Sequence, residues 1–340
     1  MKVFSALFVL LLTASTCCAQ NEQAIIRVGM IGLDTSHCIA FTKLLNDKSQ
    51  KDFIPGFRVT AVYPKGSPDI ESSTSRVPKY TGDIQKLGVE VVDDLQQMID
   101  QVDAVLLETN DGRPHLEQIV PVLQAGKPCF VDKPMAGSLS DCIAMFRLAD
   151  HYQTPIFSSS SLRYGKSTQA VRNGSIGQVT GCDTWSPCKL EPTHPDLFWY
   201  GIHGVESLFT VMGKDVVSVV RTQTDSTDVV VGTWADGRIG TFRGLRSGKA
   251  GYGGTAFGSK AQAAVGSYDG YAPLVSEITK FFRTKETPID PAETLAIYAF
   301  MEAADACVQQ NGKRIAIETV MQRASVQADA RVRGILRASR

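Results

Sequence analysis

Through the first half of the chain, short β-branched apolar runs alternate with stretches whose apolar residues recur at helical spacing. Residues 25–31, Ile-Ile-Arg-Val-Gly-Met-Ile, read as a strand, and Asp34-Thr35-Ser36 supplies capping side chains for a helix carrying Ile39, Phe41, Leu44 and Leu45. The rhythm repeats, with strands at 57–62, 89–92 and 102–107, a helix over 115–125 stopped by Gly126, and a strand at 129–131. Ser138 opens another helical pattern through Ile143, Phe146 and Leu148, and 155–157 reads as the last strand of this half. Repeated strand–helix alternation predicts a doubly wound parallel sheet with helices on both faces.

Beyond a boundary near Ser158 the pattern changes. Strands at 178–185, 216–222, 229–234 and 239–242 follow one another across turns such as Asp236-Gly237, and helical patterns occupy 202–212, 271–282 and 291–310. This half therefore reads as an α+β domain with a largely antiparallel sheet. The glycine-rich stretch 248–258 is either a loop over a cleft or a plain connection.

Ahead of both domains, Lys2 precedes an apolar run over 3–12 and a small, polar stretch over 13–19. That is the layout of a secretory signal, and the run is shorter than the ~20 residues a membrane span needs. The expected division is thus a signal at 1–19, a first domain over 20–157 and a second over 158–340, in a protein exported after cleavage and not stably inserted in the membrane.

Composition narrows the partners. Lys+Arg and Asp+Glu number 35 each in 340 residues, so the bulk positive field of a nucleic-acid binder is missing. Eight cysteines without a CxxC pair give neither a zinc ribbon nor a redox motif. A small molecule is the expected partner.

Several motifs point to its chemistry. Val28-Gly-Met-Ile-Gly32, Thr109-Asn110 followed by His115, Ala125-Gly-Lys-Pro-Cys-Phe-Val-Asp-Lys-Pro134 and Gly201-Ile-His203 stand in the order found in the Gfo/Idh/MocA oxidoreductases, which this chain resembles. The resemblance implies a Rossmann domain joined to an α/β substrate domain, an NAD or NADP cofactor, a carbohydrate or polyol substrate, and a homo-oligomer. It makes Lys133 the active-site lysine, His203 the helix-borne histidine, and Asp132 the acid near the nicotinamide ribose. It also places Gly32, Leu33, Asp34, Thr35 and His115 along the cofactor, and Arg163 and Tyr164 near the substrate. Thr109 and Asn110, just past the fourth strand, either meet the cofactor or form a turn with Asp111-Gly112, and Trp199 with Tyr200 is either a stacking platform for a sugar ring or core.

The residues depart from that pattern at defined places. A dinucleotide fingerprint is GxGxxG, whereas Gly32-Leu-Asp-Thr-Ser-His37 keeps the first glycine alone and puts Asp34 where phosphates would sit. No acid ends the second strand to hold a ribose diol. Lys65 with Ser67 could instead meet a 2′-phosphate, or form a solvated turn. Asp34 and His37 are either a helix cap with a first-turn side chain or a new acid–base pair. Trp199 stands where the family has an aspartate one turn before the histidine. Glu206, one turn after it, either orients the His203 imidazole or is a surface carboxylate. His194, His203 and Glu206 lack a second close ligand pair, so no metal site is expected.

Two functions compete on this reading. One is an exported NAD(P)-dependent oxidoreductase with His203 as base and Lys133 fixing the alcohol oxygen. The alternative is a dinucleotide-free lyase or epimerase using Asp34, His37, Lys133 and His203, or a carbohydrate-binding protein, on the same fold.

Overall fold

The computed structural model describes residues 24–338; the expected signal segment at 1–19 lies outside them. Strands β1 (Ile26–Ile31), β2 (Phe57–Tyr63), β3 (Glu90–Val91), β4 (Ala104–Leu107), β5 (Cys129–Val131) and β6 (Ile156–Ser158) form one sheet in the order β3-β2-β1-β4-β5-β6. Every pairing in it is parallel. The intervening helices are α1 (Ser36–Asn46), α2 (Glu71–Gln85), α3 (Leu95–Asp100), α4 (His115–Gln124) and α5 (Leu139–His151). Strand order reverses at β1, so the loops after β1 and β4 diverge there and open a crevice at the carboxyl edge.

After a 3-10 turn at Ser161–Tyr164 come α6 (Lys166–Arg172), β7 (Val179–Pro187), α7 (Asp196–Trp199), α8 (Ile202–Met212), β8 (Val216–Thr224), β9 (Thr227–Trp234) and β10 (Ile239–Leu245). Then follow β11 (Gly253–Gly258), β12 (Gln262–Val265), α9 (Ala272–Thr284), α10 (Pro291–Gln309), β13 (Ile315–Ala316) and α11 (Ile317–Ala338). The second sheet runs β12-β11-β7-β10-β9-β8-β13 and is antiparallel except between β7 and β10. Residues 253–258 are thus a strand, not loop; only the segment before them, with Ala250 and Tyr252, borders a cleft.

Burial explains which elements form. The β4 sequence Ala-Val-Leu-Leu is buried along its whole length, as a central parallel strand must be. Asp94 and Ser138 cap α3 and α5, their side chains accepting from the backbone N–H of Gln97 and Asp141. The helix α9 lies far along the chain, yet it packs Leu274, Ile278 and Phe281 against Phe41 of α1 and against Val59, Phe130 and Phe157 of the first sheet. Each such side chain contributes roughly 1.5–3 kcal/mol when fully buried. A division of the chain at Ser158 by sequence alone misses this return, which ties the two halves together and brings Tyr271 beside the crevice. No helix among the described residues is long and apolar enough to cross a membrane.

Candidate active site

Strand β1 ends at Gly32, whose φ is +91° and whose missing Cβ would lie 2.5 Å from the Thr109 backbone nitrogen. Only glycine fits that turn. The chain then enters α1 through Thr35, which occupies the cap position but makes no side-chain cap bond, contrary to the capping expected of this segment. Backbone N–H groups at this helix start have no side-chain acceptor. Thr35 and Ser36 open onto a cleft of about 740 Å³ between the domains.

Asp34 does not face that cleft. Its side chain is fully buried and accepts hydrogen bonds from the Asn110 N–H at 2.8 Å and the Ser73 hydroxyl at 2.7 Å, while Arg76 donates to its carbonyl oxygen at 3.0 Å. Burial pushes the Asp34 carboxyl above the usual range, against the pull of these bonds. Asp34 therefore ties the β1–α1, α2 and β4–α4 segments together, and the expectation of a carboxylate at the phosphate position gives way to a structural bridge. No hydrogen bond or ion pair joins it to His37, so the two are not an acid–base pair.

Other expected cofactor contacts are also corrected. Leu33 is core. The Thr109 hydroxyl is buried and donates to Gln118 at 3.1 Å. His115 is fully buried with Nε2 2.8 Å from the Thr109 carbonyl and Nδ1 3.1 Å from the Met135 carbonyl, so it pins the β4–α4 loop to the segment after β5. Burial lowers its pKa, and a neutral ring donates to one of these carbonyls at a time. Ser67 spends its hydroxyl on Asp111 at 2.6 Å, so it is not free for a phosphate, and Lys65 stands exposed beside it. Asn110 does line the cleft, with a buried Oδ1 that has no partner.

The floor of the cleft holds an unexpected cluster. His37 stacks on Phe41 at 5.2 Å between ring centres and meets the edge of Tyr271 at 4.7 Å. Its Nδ1 lies 2.7 Å from Asp132 Oδ2 and 3.8 Å from Glu108 Oε2. Glu108 and Asp132, at the ends of β4 and β5, are fully buried, and neither Glu108 oxygen nor Asp132 Oδ1 has a hydrogen-bond donor. Burial and the neighbouring Asp132 push Glu108 well above the usual carboxylate range. Burial works in the same direction on Asp132, but His37 and Lys133 overcome it and hold Asp132 low. Glu108 escaped the sequence reading because one acid ending an apolar run looks like an ordinary strand end.

Lys133 and His203 line the same cleft from opposite domains. The Lys133 ammonium lies 5.6 Å from the centre of the Tyr200 ring and makes no ion pair within 4.0 Å among the described residues. His203 is buried at the start of α8, with Nδ1 2.7 Å from Ser160 Oγ and its ring edge-on to Tyr200 and Tyr252. Burial, then the Lys133 and His37 charges, lower its pKa well below that of free imidazole, so it is neutral at physiological pH. Trp199 and Tyr200 line the cleft too, joined by Tyr252, Tyr268 and Tyr271, which sequence reading did not single out.

Glu206 does neither of the things expected of it. It accepts from the Ser159 hydroxyl at 2.7 Å, the Ser160 N–H at 3.0 Å and Arg163 Nε at 2.7 Å, and so acts on His203 only by positioning Ser160. Arg163 is buried between Glu206 and Glu293, and with Tyr164 it borders a separate hollow by α9 instead of the cleft, so neither is placed to meet substrate there. His194 turns to Asp111 at 3.1 Å, so His194, His203 and Glu206 form no ligand set.

Comparison with known proteins agrees with this architecture. The Gfo/Idh/MocA family model, described as an oxidoreductase family with an NAD-binding Rossmann fold, matches residues 26–159. Compared by sequence with curated proteins, the chain matches none. Among solved structures it is similar to apo scyllo-inositol dehydrogenase from Lactobacillus casei, at 17% identity and a TM-score of 0.70, over 87% of this chain and 99% of that one. Myo-inositol dehydrogenase from Lactobacillus casei in complex with NAD(H) and myo-inositol follows at 16% and 0.66, over 86% and 96%. An oxidoreductase from Agrobacterium radiobacter in complex with NAD+, L-tartaric acid and magnesium gives 16% and 0.68, over 86% and 99%. These likenesses establish a shared fold, and over residues 26–159 the chain is similar to the NAD-binding Rossmann domain that the family model describes.

Proposed function

We propose that the protein transfers a hydride between a polyhydroxylated small molecule, a sugar or cyclitol, and NAD or NADP. The observation that carries this reading is the convergence of Lys133, His203 and the uncapped start of α1 on one cleft.

The residues fit a dinucleotide at its phosphate end. Gly32 makes the turn, the α1 amino end offers N–H donors and a favourable dipole, Arg76 borders the same wall, and Asn110 Oδ1 is a buried acceptor awaiting a donor. Asp34, facing inward, does not oppose an anion there. Bound in that cleft, the nicotinamide would supply the hydride acceptor.

The chain's own groups divide the remaining work. His203, neutral by burial, takes the hydroxyl proton at Nε2 in the tautomer whose Nδ1–H donates to Ser160 Oγ. The Lys133 ammonium donates to the same alcohol oxygen and steadies the charge that develops there. Tyr200, Tyr252 and Trp199 offer ring faces to the C–H face of a sugar or cyclitol. The Lactobacillus casei enzyme that holds NAD(H) and myo-inositol supports a cyclitol within this class. Export belongs to the proposal as well, carried by the apolar run at 3–12.

The test is turnover by the full chain on a panel of inositols and aldoses with each dinucleotide, followed by nicotinamide absorbance. Expected are activity with one dinucleotide and its loss in Lys133→Met and His203→Gln while calorimetry still shows dinucleotide binding. Absence of binding at millimolar dinucleotide, with conversion of a sugar retained, would refute the redox reading in favour of a dinucleotide-free lyase or epimerase.

A further inference from the structure

We propose that His37, Glu108 and Asp132 form a binding site for one divalent transition-metal ion, of the zinc class, beneath the cleft. The first observation is geometric. One ligand atom from each residue lies within 4.8 Å of the other two, and all three residues are buried. Ligand atoms around a tetrahedral zinc stand ~3.4 Å apart, given metal–ligand distances of ~2.1 Å. The His37 Nδ1 to Glu108 distance of 3.8 Å needs only slight contraction, and the 2.7 Å His37–Asp132 contact a slight opening, both within reach of side-chain rotation.

The second observation is independent of the first and concerns unpaired charge. Both Glu108 oxygens and Asp132 Oδ1 are buried without a donor. Lys133, the nearest cation in sequence, points to Tyr200 and makes no ion pair with either carboxylate. A buried carboxylate with no partner is strongly disfavoured, so a cation or a proton must complete the group. Two carboxylates and a neutral imidazole balance a divalent ion in net charge. The imidazole nitrogen selects zinc-like ions over magnesium or calcium, which prefer oxygen donors throughout. On binding, the proton on Nδ1 of the His37 ring is lost as Nε2 takes one up, leaving Nδ1 free to coordinate. Of the three ligands, His37 alone borders the cleft, so a fourth position would open on that side.

This inference does not depend on the redox reading, and its readout needs no activity. The purified full chain is stripped with a chelator and titrated with zinc chloride by calorimetry, with metal content measured after desalting. Expected are about one zinc per chain, a higher melting temperature with zinc than without, and at least 100-fold weaker binding in Glu108→Gln. Asp132→Asn serves as the second variant should Glu108→Gln fail to fold. Fewer than about 0.1 zinc per chain in the wild type, or wild-type affinity in a folded Glu108→Gln protein, would overturn the proposal. So would a wild-type melting temperature that zinc leaves unchanged, which would identify a proton shared by the two carboxyls as the occupant.

Discussion

Replacing Asp34 with glycine restores the second glycine of the dinucleotide fingerprint, and two accounts of the carboxylate give opposite outcomes. If Asp34 faced the phosphates, Asp34→Gly would relieve repulsion and tighten cofactor binding. In the structure it faces inward, so the same change removes the acceptor for the Asn110 N–H at 2.8 Å and for the Ser73 hydroxyl at 2.7 Å. The orphaned, buried Asn110 N–H costs about 1–3 kcal/mol, and the Ser73 bond contributes about 0.5–1.5 kcal/mol. The added backbone freedom of glycine costs about 0.5–1 kcal/mol. Relief of the desolvation that raises the Asp34 pKa offsets part of this, leaving a net loss of about 2–4 kcal/mol. At ~2.1 cal/mol/K of unfolding entropy per residue, a chain of this size responds with a fall in Tm of roughly 3–6 °C. Thermal unfolding gives the first quantity, and calorimetry with NAD+ and NADP+ gives affinity. A Tm unchanged to within about 1 °C, together with roughly tenfold tighter dinucleotide binding, would refute the inward-facing assignment.

Further expectations follow from the same geometry. Lys133→Met should lower kcat by about 100-fold or more with little change in Tm, because the half-buried ammonium stabilises charge on the substrate and makes no ion pair within 4.0 Å among the described residues; equal loss of stability would refute that role. Because burial lowers the His203 pKa, its base form persists as pH falls, and kcat/KM should hold down through the normal imidazole value near 6.5 before declining; a decline centred at or above that value in the pH profile would contradict it. Glu206→Ala should destabilise by about 3–5 kcal/mol in denaturant unfolding, since it leaves the Arg163 charge buried with Glu293 alone. A double-mutant cycle on His37 and Glu108, read by unfolding free energy, should show a coupling of about 1–3 kcal/mol, and additivity within about 0.5 kcal/mol would separate the two residues.

Legibility in the sequence followed the physics of each element. The strands of the parallel sheet were readable because burial on both faces writes continuous apolar runs, as in Val102 to Leu107. Helix α2 was not, since Ser73 and Ile84 are its buried residues and Pro78 sits inside it. Helix α11 hid for a similar reason: its buried stripe is Val320, Ala324 and Ala328, small residues that give a weak periodic signal among arginines. The return of α9 to the first sheet is a non-local contact, which no local pattern encodes.

The site divides along the same line. Lys133 and His203 were legible because each sits in a motif that a short stretch of sequence can carry. His37 and Glu108 make sense only as a pair, 71 positions apart by their own numbers, and that pair accounts for the altered fingerprint. The third glycine of GxGxxG exists so that helix and strand can pack closely. With histidine there, an imidazole must lie between the start of α1 and the strand ends, and a polar ring buried at that depth requires partners. Asp132 supplies one at 2.7 Å, and Glu108 closes the third side at 3.8 Å. Read singly, the loss of the third glycine suggests a damaged nucleotide turn, and a buried glutamate at a strand end suggests an error. Read together, they are one arrangement in which the glycine's packing role is replaced by a buried polar cluster, while the turn at Gly32 and the helix start at Thr35 and Ser36 keep the cleft open above it.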